Sequence, residues 1–371
     1  MKQYFRRKIR NGEYEFYFAH NGLEALAVLY NNPDIEIVLS DINMPEMDGL
    51  TLLAKVNEMH NPAMRVIMVS AYGDMENIRQ AMNDGAFDFV TKPIDMDDLA
   101  LTIEKAIEQI RYVHESQKEH TQLESLKEDL VSAKEIQQSF LPRTFPPFPE
   151  DSDKVDIYAS MDAAKDVGGD FYDFFRIDDD HIALVIADVC GKGIPAALFM
   201  AVSRTIIHSK GMQGVSAAEC MTESNLLLAN SSVKYMFVTV FYAILNTKSG
   251  LVTYSNAGHN PPHILRADGT IEQLPMDGRF MVGVFPEEEY ADTTLQLEHG
   301  DVLVMYTDGV TEATDSDGMM FGSERLDSIL RSQESGVRSQ EIVEAVKAGV
   351  ADFVKDAEQS DDITMLVVKR L

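Results

Sequence analysis

Apolar and polar positions divide the chain into three stretches with different periods. Over residues 1–110, short apolar runs alternate with segments whose apolar residues recur every three or four positions. "YEFYFA", "IEIVLSD", "RVIMVSA" and "DFVTKP" read as strands. "GLEALAVLY", "GLTLLAKVNEM", "MENIRQAMNDG" and "MDDLALTIEKAIEQI" read as helices. This alternation predicts an α/β fold, a doubly wound parallel sheet with helices on both faces. Ligands bind at the carboxyl ends of the strands in such sheets.

Residues 103–141 read as one long helix. Ile103, Ile107 and Ile110 set a seam, and Leu123, Leu126, Leu130, Ala133 and Phe140 resume it in a shifted phase. The polar stretch "HESQKEHT" lies between them. This predicts a helical linker over residues 111–150 that pairs with a second copy as a coiled coil. The other reading is a single amphipathic helix packed on its own domain. Pro142, Pro146, Pro147 and Pro149 end the helix.

Residues 151–371 turn to strand periodicity. "DFYDFFRI" and "HIALVIADV" flank "DDD" as a hairpin. "VKYMFVTVFYAILN", "LVTYSNAG", "PHILRA", "DVLVMYTDG" and "DITMLVVKR" add strands. Helices are expected at "IPAALFMAVSRTIIHS", "SAAECMTESNLLLA" and "SQEIVEAVKAGVADFVK". Consecutive strands with grouped helices predict an α+β domain, an antiparallel sandwich flanked by helices.

Composition narrows the function. The chain has 371 residues and a net charge of −29, a field that repels nucleic acid and anionic lipid. The apolar runs are too short for a membrane span, and the N-terminal stretch has no signal-peptide pattern. Cys190 and Cys220 give neither a disulfide framework nor a metal knuckle, which fits the cytoplasm.

In the first stretch, Asp41 ends an apolar run, Ser70 ends the next and Lys92 the last. On a doubly wound sheet these converge on one edge. A carboxylate, a hydroxyl and an ammonium can together accept and hold a phosphoryl group. With Pro45, Gly49 and Pro93 at these offsets, the stretch resembles the receiver domain of bacterial response regulators. The resemblance implies Asp41 as phosphoacceptor, Ser70 and Lys92 as phosphate contacts, Phe89 as the switch aromatic and a cis bond before Pro93. It also implies a sensor histidine kinase upstream. Receivers open with a strand ending in an acidic pair. That strand is missing ahead of "RRKIRNGEYEFYFA", so the receiver is expected to be incomplete at its N-terminus.

In the last stretch, Asp170, Asp188, Asp308, Asp361 and Asp362 each stand at a strand end or beside a glycine. One such aspartate is a turn former. A series of carboxylates gathered in one place costs several kcal/mol unless paired or metal-bound. Oxygen ligands without histidine suit magnesium or manganese. "DVGGDFYDFF", "IADVCGKGIPAALFMA", "NAGHNPP", "MYTDGVTEA" and "SDDITMLVV" resemble, in order, the SpoIIE-like branch of metal-dependent serine/threonine phosphatases. "AKEIQQSFLP" resembles the helix through which regulatory domains act on that branch.

This resemblance implies two Mn2+ or Mg2+ ions. Asp188 would bridge them, with the carbonyl of Val189, with Asp170 and Asp308, and with Asp361 or Asp362 as the last ligand. Alignment with the family's Asp-Asn-Ile-Thr favours Asp361. Cys190 stands where many relatives carry a histidine, and the arginine that grips phosphate in them has no counterpart before "DVGGDF". His259 is read as turn-shaping, Met281 and Phe285 as core, and Cys190 as a small buried side chain. The expected whole is a receiver-regulated phosphatase, dimeric through its linker helix. Its expected substrate is a phosphorylated STAS-type anti-sigma-factor antagonist or a similar small regulator. A partner-switching scaffold without hydrolysis is the rival reading. A DNA-binding regulator fits poorly, because the C-terminal region has neither a helix-turn-helix pattern nor a basic face.

Overall fold

A computed structural model of the protein describes residues 1–231, 236–276, 278–334 and 336–371. The chain forms two compact units, residues 1–127 and 128–371. The first contains α1 (Arg6–Arg10), α2 (Gly22–Asn31), β1 (Ile37–Asp41), α3 (Gly49–Glu58), β2 (Arg65–Ala71), α4 (Met75–Asn83) and β3 (Asp88–Lys92). Helix α5 (Met96–Phe140) follows, and the division between the units falls within it. The two helices expected separately, at 96–110 and 103–141, are one continuous helix.

The sheet of the first unit is parallel, in the order β1-β2-β3. Side chains alternate across β2: Val66 and Met68 join a core with α2, α3 and α4, while Ile67 joins Phe5, Val90, Leu99 and Ile103 on the opposite face. Both faces are therefore covered, as the pattern predicted. "YEFYFA" is not a strand. Tyr14 and Phe16 instead pack around Phe5 with tilted rings, centroids 5.7 and 5.8 Å away. Aromatic alternation here reports a ring cluster, because among the described residues no strand pairs with this segment.

Along α5, Ile103, Ala106 and Ile110 are buried, whereas Leu123, Leu126, Val131 and Ile136 are exposed. Of the seam expected in the second half of the helix, Leu123 and Leu126 are exposed, while Leu130, Ala133 and Phe140 are partly buried.

The second unit stacks two antiparallel sheets. One has the order β10-β9-β12-β13-β4, from β4 (Val155–Asp162), β9 (His263–Leu265), β10 (Ile271–Gln273), β12 (Val302–Tyr306) and β13 (Ile363–Arg370). The other has the order β11-β8-β7-β6-β5, from β5 (Phe171–Arg176), β6 (His181–Val189), β7 (Val238–Asn246), β8 (Leu251–Ala257) and β11 (Thr293–Gln296). Residues 232–235 lie outside the described residues, and with them 233–235, which the sequence placed at the start of strand β7.

Helices α6 (Ile194–Gly211) and α7 (Ala217–Ser231) pack with the second sheet. Helices α9 (Ser323–Arg331) and α10 (Ser339–Val354) cover the first, and the short α8 (Asp308–Thr311) follows β12. Period two sorts the core: Leu303, Met305, Leu366 and Val368 face the inter-sheet core, while Val302, Val304, Met365 and Val367 face α9 and α10. Phe285, expected in the core, is exposed and packs edge-on against Phe280 at 5.1 Å. Met281 is only partly buried. No helix among the described residues is long and apolar enough to cross a membrane.

Candidate active site

Antiparallel pairing gathers the aspartates of the second unit. Asp170 immediately precedes β5, and Asp188 is next to last in β6, its antiparallel neighbour. Asp308 opens α8 at the end of β12, and Asp361 and Asp362 immediately precede β13, again its antiparallel neighbour. A strand start beside a strand end places all five at one end of the sandwich.

The electrostatics confirm their proximity. Asp170 is buried, and burial followed by the charges of Asp188 and Asp362 holds its carboxyl well above the usual range. Burial, then Asp308, pushes Asp188 up to about 7. Asp308 is raised by burial, then by Glu312 and Asp361. Carboxylates in this state favour neutralisation by a proton or by a bound cation.

Three of them are also held by protein partners. Thr307 Oγ1 donates to Asp170 Oδ2 at 2.7 Å. Asp361 Oδ2 lies 2.9 Å from Lys192 Nζ, and its Oδ1 accepts from the Asp362 amide at 3.0 Å. Asp362 serves the backbone: Oδ1 accepts from the Ala164 amide at 2.8 Å, and Oδ2 from the Gly169 amide at 2.7 Å. Among the described residues no three His, Cys, Asp or Glu side chains converge as closely as the ligands of one ion do. The partners account for the spacing, since three of the carboxylates are turned toward a hydroxyl, an ammonium and main-chain amides.

Two glycines make this packing possible. A Cβ on Gly168 would lie 2.3 Å from Asp362 Oδ2, and one on Gly309 would lie 1.9 Å from the Asp362 carbonyl oxygen. Gly168 is also clasped from α5. Gln137 Nε2 donates to its carbonyl at 2.6 Å, and Gln137 Oε1 accepts from its amide at 3.1 Å. The Val189 carbonyl lies against Gly169, where a Cβ would stand 2.8 Å from its oxygen.

Behind Asp188, Thr239 Oγ1 meets the Asp188 carbonyl at 3.4 Å and His259 Nδ1 at 2.9 Å. Burial pushes His259 down to about 4. Its main chain closes a turn with Asn256, whose side chain bonds both the His259 amide and its carbonyl. Cys190 is partly buried, and its Sγ accepts from the Phe237 amide at 3.2 Å.

Sequence reading did not find Gln137, Thr307 or Lys192. Lys192 sits in a quoted motif, "GKG", where a cation between two glycines was the available signal.

In the first unit, Asp41 and Lys92 end β1 and β3 and form an ion pair. Ser70 is buried in β2, and its Oγ donates to the Ala71 carbonyl at 3.3 Å. Phe89 is half-buried against the core of α2, α3 and α4. The Lys92–Pro93 bond is cis.

A helix-flanked pair of antiparallel sheets is the fold of PP2C phosphatases. The SiaA-PP2C domain of Pseudomonas aeruginosa superposes with a TM-score of 0.59 at 21% identity, over 67% of this chain and 98% of that one. The sequence profile for stage II sporulation protein E (SpoIIE) matches residues 178–371, and that for the response regulator receiver domain matches residues 1–104. Phosphoserine phosphatase RsbU of Bacillus subtilis is 31% identical over 258 residues, 68% of this chain and 74% of RsbU. Protein IcfG of Synechocystis is 31% identical over 269 residues, 65% of this chain and 41% of IcfG. The chain belongs to the SpoIIE family of PP2C-type serine/threonine phosphatases, with a receiver domain at its N-terminal side. It spans less than half the length of IcfG and about three quarters that of RsbU.

Proposed function

We propose that this protein hydrolyses phosphoserine or phosphothreonine on a small regulatory protein in a divalent-metal-dependent reaction, under the control of its receiver. The carrying observation is the group of Asp170, which is buried, with Asp188 and Asp308, which are partly buried, each held above the usual carboxylate range. Such a group is costly in a scaffold that only binds. It is useful where dications must be held, and an oxygen-only donor set fits Mn2+ or Mg2+.

Asp188 is assigned as the bridging carboxylate, with Asp170, Asp308, Asp361 and the Val189 carbonyl completing two sites. Asp362 is assigned to positioning, because its oxygens already accept from main-chain amides. When bound, two ions would supply the positive charge that holds the phosphate and would acidify the attacking water. Thr307 keeps Asp170 oriented, and Gln137 with Asp362 fixes the glycine loop that carries it.

The unit assignments proposed are a receiver over 1–110, a helical linker over 111–150 and a phosphatase over 151–371. Within the receiver, Asp41 is proposed to take the phosphoryl group, with Ser70 and Lys92 as contacts and Phe89 as switch. The exposed Leu123 and Leu126 of α5 support pairing with a second copy. The substrate proposed is a phosphorylated anti-sigma-factor antagonist of STAS type or a similar regulator. RsbU, named a phosphoserine phosphatase, supports the residue class.

The test is phosphate release from a phosphoserine peptide by the full chain. Release is expected to require Mn2+ or Mg2+ and to fall about a thousandfold in Asp188→Asn, the scale of losing a principal charge-stabilising group. A folded, metal-loaded chain without activity would favour the scaffold reading. Asp41→Lys is expected to change the rate; an unchanged rate would remove the receiver from control.

A further inference from the structure

The carboxylate cluster is nearly bare of cations. Among the described residues, Lys192 is the one ion-paired to any of its five aspartates, 2.9 Å from Asp361 Oδ2. Its ammonium also donates to the Ser360 main-chain oxygen. Both partners belong to the loop that leads into β13. The segment before Asp170 contains no arginine, so the residue type expected to grip phosphate there is absent.

The backbone around Lys192 leaves the side chain free to be re-aimed. It stands between Gly191 and Gly193, whose φ values are +91° and +75°, and nothing lies within 4 Å of a Cβ built on either. The lysine itself is 43% exposed. Its turn is therefore shaped by glycine conformation rather than by packing, and the long side chain can swing without disturbing the core.

We propose that Lys192 is the phosphate-gripping residue of this site, parked on Asp361 until a dication takes that carboxylate. The proposal rests on the phosphatase reading above. Once Asp361 serves an ion, its charge no longer balances the ammonium. The substrate phosphate enters the same spot bearing oxygens that three N–H donors can meet. Lys192 is then a catalytic residue, because it touches substrate.

The test uses the full Mn2+-loaded chain with inorganic phosphate as probe, followed by calorimetry, and Mn2+ affinity read separately by electron paramagnetic resonance. Lys192→Ala is expected to bind phosphate about tenfold more weakly, the scale of one charge-assisted contact. Mn2+ affinity is expected to hold or rise, since no ammonium competes for Asp361. Lys192→Arg is expected to keep phosphate affinity within about threefold of the parent. With a phosphoserine peptide, KM should rise about as much as phosphate binding weakens.

Unchanged phosphate binding in Lys192→Ala overturns the proposal. So does a parallel fall in Mn2+ affinity, which would make Lys192 a positioning residue for Asp361. Failure of the phosphatase reading looks different: the parent chain would bind Mn2+ and phosphate yet release none from the peptide.

Discussion

Asp41 and Asp170 occupy the same kind of place and live under opposite electrostatics. Each follows or precedes a strand at the edge of a sheet. Asp41 is a third exposed and meets an exposed lysine. Asp170 is 2% exposed and meets a hydroxyl and other carboxylates. The difference comes from topology. A parallel sheet leaves the carboxyl ends of its strands open to water. The antiparallel sandwich brings strand starts beside strand ends, so the loops of both sheets close over the same spot. A solvated, paired carboxylate can wait for a phosphoryl group at little cost. A group of buried and half-buried carboxylates is destabilised until a proton or a cation neutralises it.

The largest expected effect breaks the second half of that comparison. Asp170→Asn should lower phosphate release about a thousandfold while raising the melting temperature of the metal-free chain by roughly 5 °C. Loss of activity with lowered stability would mean that the carboxylates are not in conflict.

A pH series sharpens it. Asp188 titrates near 7 in the folded chain and near 3.8 when unfolded, so the folded state holds the extra proton between those values. The stability this supplies is fully present below pH ~4 and is lost as pH rises to ~7. The stability gain of Asp188→Asn over the parent, without metal, should therefore grow from nothing near pH 4 to a plateau above pH 7. Differential scanning at stepped pH measures it, and a flat difference would contradict it.

Gln137→Ala comes next. It removes both amide contacts to Gly168, and phosphate release should fall about tenfold with weaker Mn2+ binding. Wild-type metal affinity in this variant would separate the clasp from the site. Smallest is Asp41→Asn. As an exposed ion pair it should change folding stability by less than about 1 kcal/mol in denaturant titration.

Strand periodicity made most of this architecture readable. "VLVMY" and "MLVV" are unbroken apolar runs because both faces of their sheet are buried. The aspartates stood out because each interrupts such a run. β4 was not recognised, although Val155, Ile157 and Ala159 alternate inward, because its polar positions resemble a loop. "YEFYFA" was misread for the converse reason, since its alternating rings satisfy a cluster rather than a ladder. Gln137 lies in "AKEIQQSFLP", a segment legible as a regulatory helix, but nothing singled out this residue within it. Its importance lies in two hydrogen bonds to a main chain 31 residues away, and one polar residue on a helix looks like any other. The role of Asp362 was hidden in another way: alignment favoured Asp361 as the ligand, but the amides of Ala164 and Gly169 that Asp362 accepts from lie far off in sequence.

Those same hydrogen bonds set an order of events. Asp362 reaches amides 198 and 193 residues earlier in the chain. β13, which it introduces, lies between β12 and β4 in the middle of its sheet. A ribosome that has released β5 and β6 therefore carries Asp170 and Asp188 side by side on one hairpin, with Asp308, Asp361 and Asp362 still to come. The protein is made without a working centre and acquires one only when a strand drawn from far along the chain slides between two others.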